Sequence, residues 1–227
     1  MFFNEWLDIL LYKKKPADIA TTSMGTGLKH LVIASLIVGV ISGITSYLTV
    51  GSVTGMAGTE AMLGPMMAML GPAMVVATII MTPIMAVIGA IIGGLILHIF
   101  CKILGGQGSV TTYIGTLALI NAAISGTAGV VLGIIGLIGA LGGMGIYMMV
   151  AGIVGLLGLI VGLWNLILVL KATMAVQQIS MGKAIVAVIV IPLIIGVILA
   201  VVAAALFVSL IMSALGGASG MGGLMAL

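Results

Sequence analysis

The chain has 227 residues, of which 63% are hydrophobic and only 5% are charged. A soluble domain carries about a quarter charged residues, so this composition excludes a soluble fold and indicates an integral membrane protein. All seven basic residues are lysine. The chain therefore lacks the bidentate guanidinium that reads base edges, which argues against a nucleic-acid partner.

The first fifteen residues, MFFNEWLDILLYKKK, predict a short amphipathic helix followed by three lysines. One helical face carries Phe3, Trp6, Leu7, Leu10 and Leu11, and the other carries Asn4, Glu5 and Asp8. Because this helix is too short to cross a bilayer, we expect residues 1–30 to form a cytoplasmic segment. Its helix would lie in the membrane interface with the lysines near anionic headgroups. Packing against the spans or against a neighbouring subunit is the alternative.

Five later runs are apolar and long enough to cross a membrane, which takes about 20 residues. They cover residues 31–50, 73–100, 110–139, 145–170 and 184–212. The predicted fold is all-α: a polytopic membrane bundle of five transmembrane helices over 31–212, preceded by the short interfacial amphipathic helix. The glycine-rich residues 213–227 predict a flexible external tail.

The lysines predict the orientation of these spans. They precede the first span, follow the second, and flank the loop between the fourth and the fifth, whereas the other loops and the tail have none. Cytoplasmic loops of membrane proteins carry the excess of lysine. We therefore expect a cell-membrane protein with its N-terminus in the cytoplasm and its C-terminus outside.

Glycines recur at spacings of three and four in the third and fourth spans, forming one stripe on each helix. The third span carries Gly126, Gly129, Gly133 and Gly136, and the fourth carries Gly152, Gly155, Gly158 and Gly162. Small residues let membrane helices approach closely. Since the connection at 141–145 is short, we expect these stripes to hold the two spans together as a hairpin. A contact in a homo-oligomer is the alternative.

A glycine-rich loop, GGQGS at 105–109, separates the second and third spans. No lysine follows its glycines and membrane helices flank it, so it matches neither a P-loop nor a dinucleotide-binding fingerprint. Gly105, Gly106, Gly108 and Ser109 predict a tight cytoplasmic turn. A glycine would end the second span in a left-handed cap, and Ser109 would cap the third span. Binding of an anion such as a lipid headgroup at the open helix end is the alternative.

A few polar residues lie inside the spans close to the lysine-bearing loops. His98, Thr112, Thr116 and Asn165 fall at similar depths, which predicts a polar cluster under the cytoplasmic surface. This cluster is either a hydrogen-bonded clasp between helices or a site for a lipid headgroup.

The spans contain no Asp or Glu, and the chain has no zinc-protease or serine-hydrolase motif. We therefore expect no enzymatic activity, no cofactor and no bound metal. Binding of Cu(I) by the methionine-rich residues 62–74 is an alternative, because thioethers are soft ligands, although methionine also serves as an apolar filler.

The loops and their flanks resemble the Yip family, the Ypt/Rab-interacting proteins with a five-span domain. The resemblance rests on Gly-Gly-x-Gly-Ser at 105–109, on Trp164 in the fourth span, and on Ser-x-Gly-Lys-Ala at 180–184 before a span that contains Pro192. It implies a compact, prokaryotic-type member, to which the Rab binding typical of eukaryotic relatives is not carried over. Such a protein would be non-enzymatic and would organise the lipid bilayer or bind protein partners through its cytoplasmic face. The rival is a small pore or carrier for a solute or lipid that uses the polar span residues.

Overall fold

The computed structural model describes residues 2–54 and 60–221, with side-chain surroundings at 2–49, 70–143 and 145–209. The regular elements of these described residues are helices. They are α1 (Phe2–Leu10), α2 (Met24–Thr54), α3 (Glu60–Ile103), α4 (Val110–Ile124), α5 (Val130–Leu141), α6 (Met144–Gln177), α7 (Met181–Ile185) and α8 (Ile191–Met221). Two π-helical turns, Ser125–Gly129 and Val186–Val190, join α4 to α5 and α7 to α8.

Five helical stretches are long and apolar enough to cross a membrane. They are Met24–Thr49, Leu70–Ile103, Val110–Leu141, Gly145–Gln177 and Met181–Ser209. Together with the short helix α1, they confirm the predicted all-α architecture of five spans and an N-terminal helix. The chain is therefore an integral, multi-pass membrane protein whose helices lie in a lipid bilayer.

The helices extend beyond the apolar runs at several ends. The first span begins at Met24 rather than at residue 31, and α3 begins at Glu60, upstream of the predicted 73–100. Helix α8 continues to Met221, so residues 213–221 of the expected flexible tail are helical, while 222–227 lie outside the described residues. Among the methionines of the segment 62–74, Met74 is the one with described side-chain surroundings, and it is exposed.

The chain divides into two compact units, one up to Ala184 and one from Ile185 onwards. The second unit contains the π-helical turn Val186–Val190 and helix α8. Pro192 lies two residues after the end of that turn, and its ring lacks the N–H that an α-helix would need there. Such wider turns are one way in which a membrane helix accommodates a proline.

In the first unit, the ends of four helices meet on the side that carries the lysines. The backbone N–H of Gln107, between α3 and α4, donates to the carbonyl of Gln177 at the end of α6, at 2.9 Å. Near the starts of α2 and α4, a Cβ built on Gly27 would lie 2.8 Å from the Cα of Gly115. We call this side the lysine end, since Lys102 and Lys171 also lie at these helix ends.

Burial in the first unit is concentrated toward the lysine end. One apolar cluster contains Trp6, Ile9, Ile19, Leu31, Ala34, Ala118, Leu119, Ile120, Ala122, Ala123, Leu168 and Ala172. By contrast, the most apolar 18-residue stretch of the second span has no buried residue, and only 6% of the residues in that of the fourth span are buried. Large aliphatic side chains there face outward, as expected of surfaces covered by lipid acyl chains.

The two glycine stripes were predicted to pack against each other, and this prediction is wrong. A Cβ at Gly152, Gly155, Gly158 or Gly162 of α6, or at Gly136 of α5, would meet nothing within 4 Å, and Gly129 has only ordinary contacts. A Cβ at Gly133 would lie 2.9 Å from the side chain of Ile41 on α2, while α5 approaches α6 through Gly139 beside Val150. The spacing gave a stripe on each helix, but it did not give the neighbour that each stripe faces.

Candidate functional site

The N-terminal segment, residues 2–23, packs against the spans. It therefore does not lie only in the membrane interface. Trp6 and Ile9 are buried, whereas Phe3 and Leu11 are more than half exposed. The indole Nε1–H of Trp6 donates to Nδ1 of His30 at 3.1 Å. The helix therefore turns one apolar face to the bundle and leaves another open to lipid, and the alternative of packing against the spans holds for the first face.

A π-helical turn in the third span forms the seat of the Trp6 ring. A Cβ built on Gly126, inside the turn Ser125–Gly129, would lie 2.9 Å from Cδ2 of the indole and closer still to two other ring carbons. The hydroxyl of Thr127 donates to the carbonyl of Ala123 within the same helix. At a rise of about 1.5 Å per residue, Gly126 lies roughly 24 Å along the span that begins at Val110. The segment thus reaches the middle of the third span.

A carboxylate links the segment to the first span. Glu5 Oε1 lies 2.7 Å from Nζ of Lys14, and Glu5 Oε2 lies 3.8 Å from Nε2 of His30. Because Nδ1 of His30 accepts the indole proton, the neutral imidazole carries its own proton on Nε2, facing Glu5. The carboxylate is therefore paired with Lys14 and lies next to the imidazole of His30, beyond hydrogen-bond distance.

Further contacts hold the last residue of α1 and the turn that follows it. The indole Nε1–H of Trp164 donates to the carbonyl of Leu10 at 2.8 Å. Tyr12 turns the chain in a left-handed conformation with φ 59, and its hydroxyl accepts from Nζ of Lys171 at 2.8 Å. The ammonium also lies 4.6 Å from the centre of the Tyr12 ring, within the range of a cation–π contact. These bonds join the end of α1 to α6.

The glycine-rich loop is a turn, as predicted. Gly105 adopts φ 90; its N–H donates to the carbonyl of Lys102 at 3.0 Å, and the N–H of Gly106 donates to that of Cys101 at 2.7 Å. This pair of bonds is the Schellman ending of a helix. Ser109 accepts from the backbone N–H of Thr112, which confirms the predicted cap of α4.

The loop glycines also allow a close approach to the end of α6. A Cβ on Gly106 would lie 2.9 Å from Oε1 of Gln177, and one on Gly108 would lie 2.9 Å from the carbonyl carbon of Val176. A larger residue at either position would push the loop away from α6. The glycines therefore serve helix packing at the lysine end.

The four residues predicted as one polar cluster take separate partners. The amide of Gln177 lies 2.9 Å from Nδ1 of His98. Thr116 donates to the carbonyl of Ile19 at 3.1 Å and also to that of Thr112 one turn earlier. Thr112 itself belongs to the exposed Ser109 cap, while Oδ1 of Asn165 is buried with no hydrogen-bond partner in the described part of the chain. The predicted common cluster is therefore not formed, because equal depth does not place side chains on facing sides of their helices.

Sequence reasoning missed several polar partners. Gln177 is fully buried although it lies beyond the predicted fourth span, and the Tyr113 hydroxyl pairs with that of Thr173 at 2.8 Å. His30 was assigned to the segment before the first span, yet it is buried beside Trp6. The similar depth that selected His98 also points to Tyr113, which adjoins Thr112 at the start of the third span, whereas Thr173 lies beyond Lys171 and outside the predicted fourth span.

Several cavities open on the outside of the first unit, and two of them differ clearly in their lining. One, of about 410 Å³, is bordered by the hydroxyl-bearing residues Ser42, Thr45, Ser46 and Tyr147, by Ala151, and by Gly133 and Gly155. We call it the hydroxyl cavity. The other is an apolar groove of about 270 Å³ between α1, α5 and α6. Both lie along spans and are therefore accessible from the membrane.

The fold and these contacts define a polytopic membrane protein of five spans with a docked N-terminal segment. Comparison with protein-family models, with curated proteins and with solved structures finds no match.

Proposed function

We propose that this chain is a non-enzymatic, Yip-type membrane protein that organises membrane through its lysine end. The observation that carries the proposal is the N-terminal segment inserted among the helices on that side only, with Trp6 seated on Gly126. A segment that adds cross-section to one half of a bundle occupies more area in one leaflet than in the other. Such a wedge favours bending of the bilayer in which the leaflet that contains the wider half becomes convex.

The polar contacts support a scaffold over the rival pore or carrier. Two pairs of polar residues bond between helices near the lysine end, His98 with Gln177 and Tyr113 with Thr173. A solute path needs polar groups that line one passage, whereas a scaffold satisfies them between helices. Protein partners would bind at the same lysine end, and Gly152, Gly158 and Gly162 of α6, which lie outside the hydroxyl cavity and would meet nothing within 4 Å, supply a face for a second copy.

The orientation follows from the lysines: we place the lysine end in the cytoplasm of a cell-membrane protein, with the C-terminus outside. A cysteine test suits this chain because its own Cys101 is buried and can be replaced by serine. In that background, Gln107→Cys and Leu141→Cys place exposed thiols at opposite ends of the third span. An impermeant maleimide should label intact cells at Leu141→Cys and only permeabilised cells at Gln107→Cys. The reverse pattern would overturn the orientation.

Reconstitution tests the membrane-organising role. Vesicles loaded with increasing amounts of the full chain should become smaller or tubular in electron micrographs. Gly126→Ala removes the seat of Trp6 and should weaken the effect, whereas Gly136→Ala, on the same span with nothing within 4 Å of its Cβ, should leave it intact. Vesicles of unchanged diameter at every loading would reject the proposal, and solute uptake by those vesicles would favour the carrier.

A further inference from the structure

The apolar groove between α1, α5 and α6 lies beside the docked segment and faces the membrane. Leu7 and Leu10 of α1, Val131 of α5 and Ile160 of α6 border its volume of about 270 Å³. The polar side chain at its wall, Thr127, already donates its hydroxyl to a backbone carbonyl of its own helix. An apolar occupant can therefore fill the groove without leaving a polar group of its wall unpaired.

One face of α6 leads from this groove to the lysine end. Ile160, Trp164 and Lys171 are four and seven residues apart, so they lie along one side of the helix. At about 1.5 Å per residue, Lys171 lies roughly 16 Å along the axis from Ile160. That length matches one leaflet of a hydrocarbon core about 30 Å thick. A headgroup at Lys171 would thus place its acyl chain at the depth of the groove.

Two lysines near the upper end of the groove, Lys13 and Lys171, have no carboxylate partner among the described residues. Lys171 contacts the hydroxyl of Tyr12, and Lys13 follows Tyr12 directly in the chain. Within the described residues, Lys14 forms a salt bridge with Glu5, whereas Lys13 and Lys171 form none with a carboxylate. Two uncompensated ammonium groups at the membrane surface attract a phosphate.

From this juxtaposition we propose that the groove binds one anionic phospholipid. Its phosphate lies between Lys13 and Lys171, and one acyl chain lies in the groove between α1 and α6. The charge at the upper end selects an anionic lipid over a zwitterionic one. The apolar walls below stabilise the acyl chain by burying its apolar surface. This binding is independent of any effect on curvature, so either proposal can fail without the other.

The test compares two lipids with identical chains, phosphatidylglycerol and phosphatidylcholine. Each is titrated into the purified full-length protein in detergent, and bound lipid is counted by native mass spectrometry. Phosphatidylglycerol should bind more tightly, and Lys13→Gln and Lys171→Gln should each weaken it by about fivefold. Lys102→Gln, an exposed lysine at the end of α3, is the matched control and should retain the wild-type affinity. Equal binding of the two lipids, or an equal loss in all three variants, would overturn the proposal.

A second pair of variants tests the acyl-chain part of the site. Ala128→Leu fills the groove, so it should weaken both lipids, whereas Ala151→Leu fills the hydroxyl cavity and should change neither. Unchanged circular dichroism and monodisperse elution confirm that each variant is folded. Lipid binding that is unaffected by Ala128→Leu overturns the proposed groove. Cross-linking of Ala128→Cys to a second copy in place of lipid protection identifies the occupant as another chain and likewise overturns it.

Discussion

Replacing Gly126 with alanine tests how the N-terminal segment is held. The added Cβ would lie 2.9 Å from Cδ2 of Trp6 and closer to two further ring carbons. Carbon atoms in good contact are about 3.5–4.0 Å apart. The rigid indole must therefore withdraw, and the bond of 3.1 Å from its Nε1 to His30 lengthens beyond hydrogen-bond range.

The cost follows from three contributions. Overpacking of a filled site costs about 1–3 kcal/mol, and loss of the indole hydrogen bond costs about 0.5–1.5 kcal/mol. Alanine in a helix recovers about 0.5–1 kcal/mol relative to glycine. The net loss is about 0.5–4 kcal/mol, and in a chain of this size each kcal/mol lowers the melting temperature by about 2–4 °C.

Thermal melting in one detergent, followed by circular dichroism, measures this loss. Gly136→Ala is the matched control, because its Cβ would meet nothing within 4 Å, and it should melt at the wild-type temperature or slightly above. In a Trp6→Ala background the penalty of Gly126→Ala should vanish, since the clashing ring is gone. Equal melting of Gly126→Ala and Gly136→Ala, or a penalty that persists without Trp6, would refute the reasoning.

Three further predictions concern packing and the lysine end. Gly133→Leu should lower the melting temperature, because a Cβ at Gly133 would lie 2.9 Å from the side chain of Ile41 on α2. Gly155→Leu should leave it unchanged, because a Cβ at Gly155 would meet nothing within 4 Å. Equal melting of the two variants would contradict this arrangement. Gly105→Ala should destabilise the protein by about 1–2 kcal/mol, owing to the left-handed backbone at that position, and wild-type melting would exclude the cap. In a double-mutant cycle, His98→Ala and Gln177→Ala should couple by about 0.5–1.5 kcal/mol, whereas additive losses would show that the two side chains act separately.

The spans, their number and the local helix ends could be predicted because they depend on short-range properties. A run of apolar residues specifies a span whatever its neighbours are. Gly105 and Ser109 likewise act on the backbone within a few residues of themselves, and both caps occur as expected. Even so, α2 begins at Met24, since the helix continues past the apolar run, and Gly27 and His30 of that extension are buried.

The neighbours of each helix face could not be predicted in the same way. Gly126 and Gly155 belong to stripes that look alike in the sequence, yet one contacts Trp6 and the other faces open space. Likewise, His98 and Asn165 share a depth, but only His98 meets a hydrogen-bonding partner within the described residues. Which way a face points depends on helix rotation and on contacts between residues far apart in the chain, as between Trp6 and His30.

The position of the N-terminal segment explains why the bundle is tightly packed toward one end. The lysine end gains an extra helix whose Trp6 and Ile9 are buried, together with bonds from Trp164 to Leu10 and from Thr116 to Ile19. Lipid gives apolar helices no reason to associate, so close packing needs small residues and polar contacts. The segment supplies those contacts near the lysines, and the outer parts of the spans are left to lipid. The same asymmetry that stabilises the bundle thus underlies both proposals, a wider lysine end and a groove beneath uncompensated lysines.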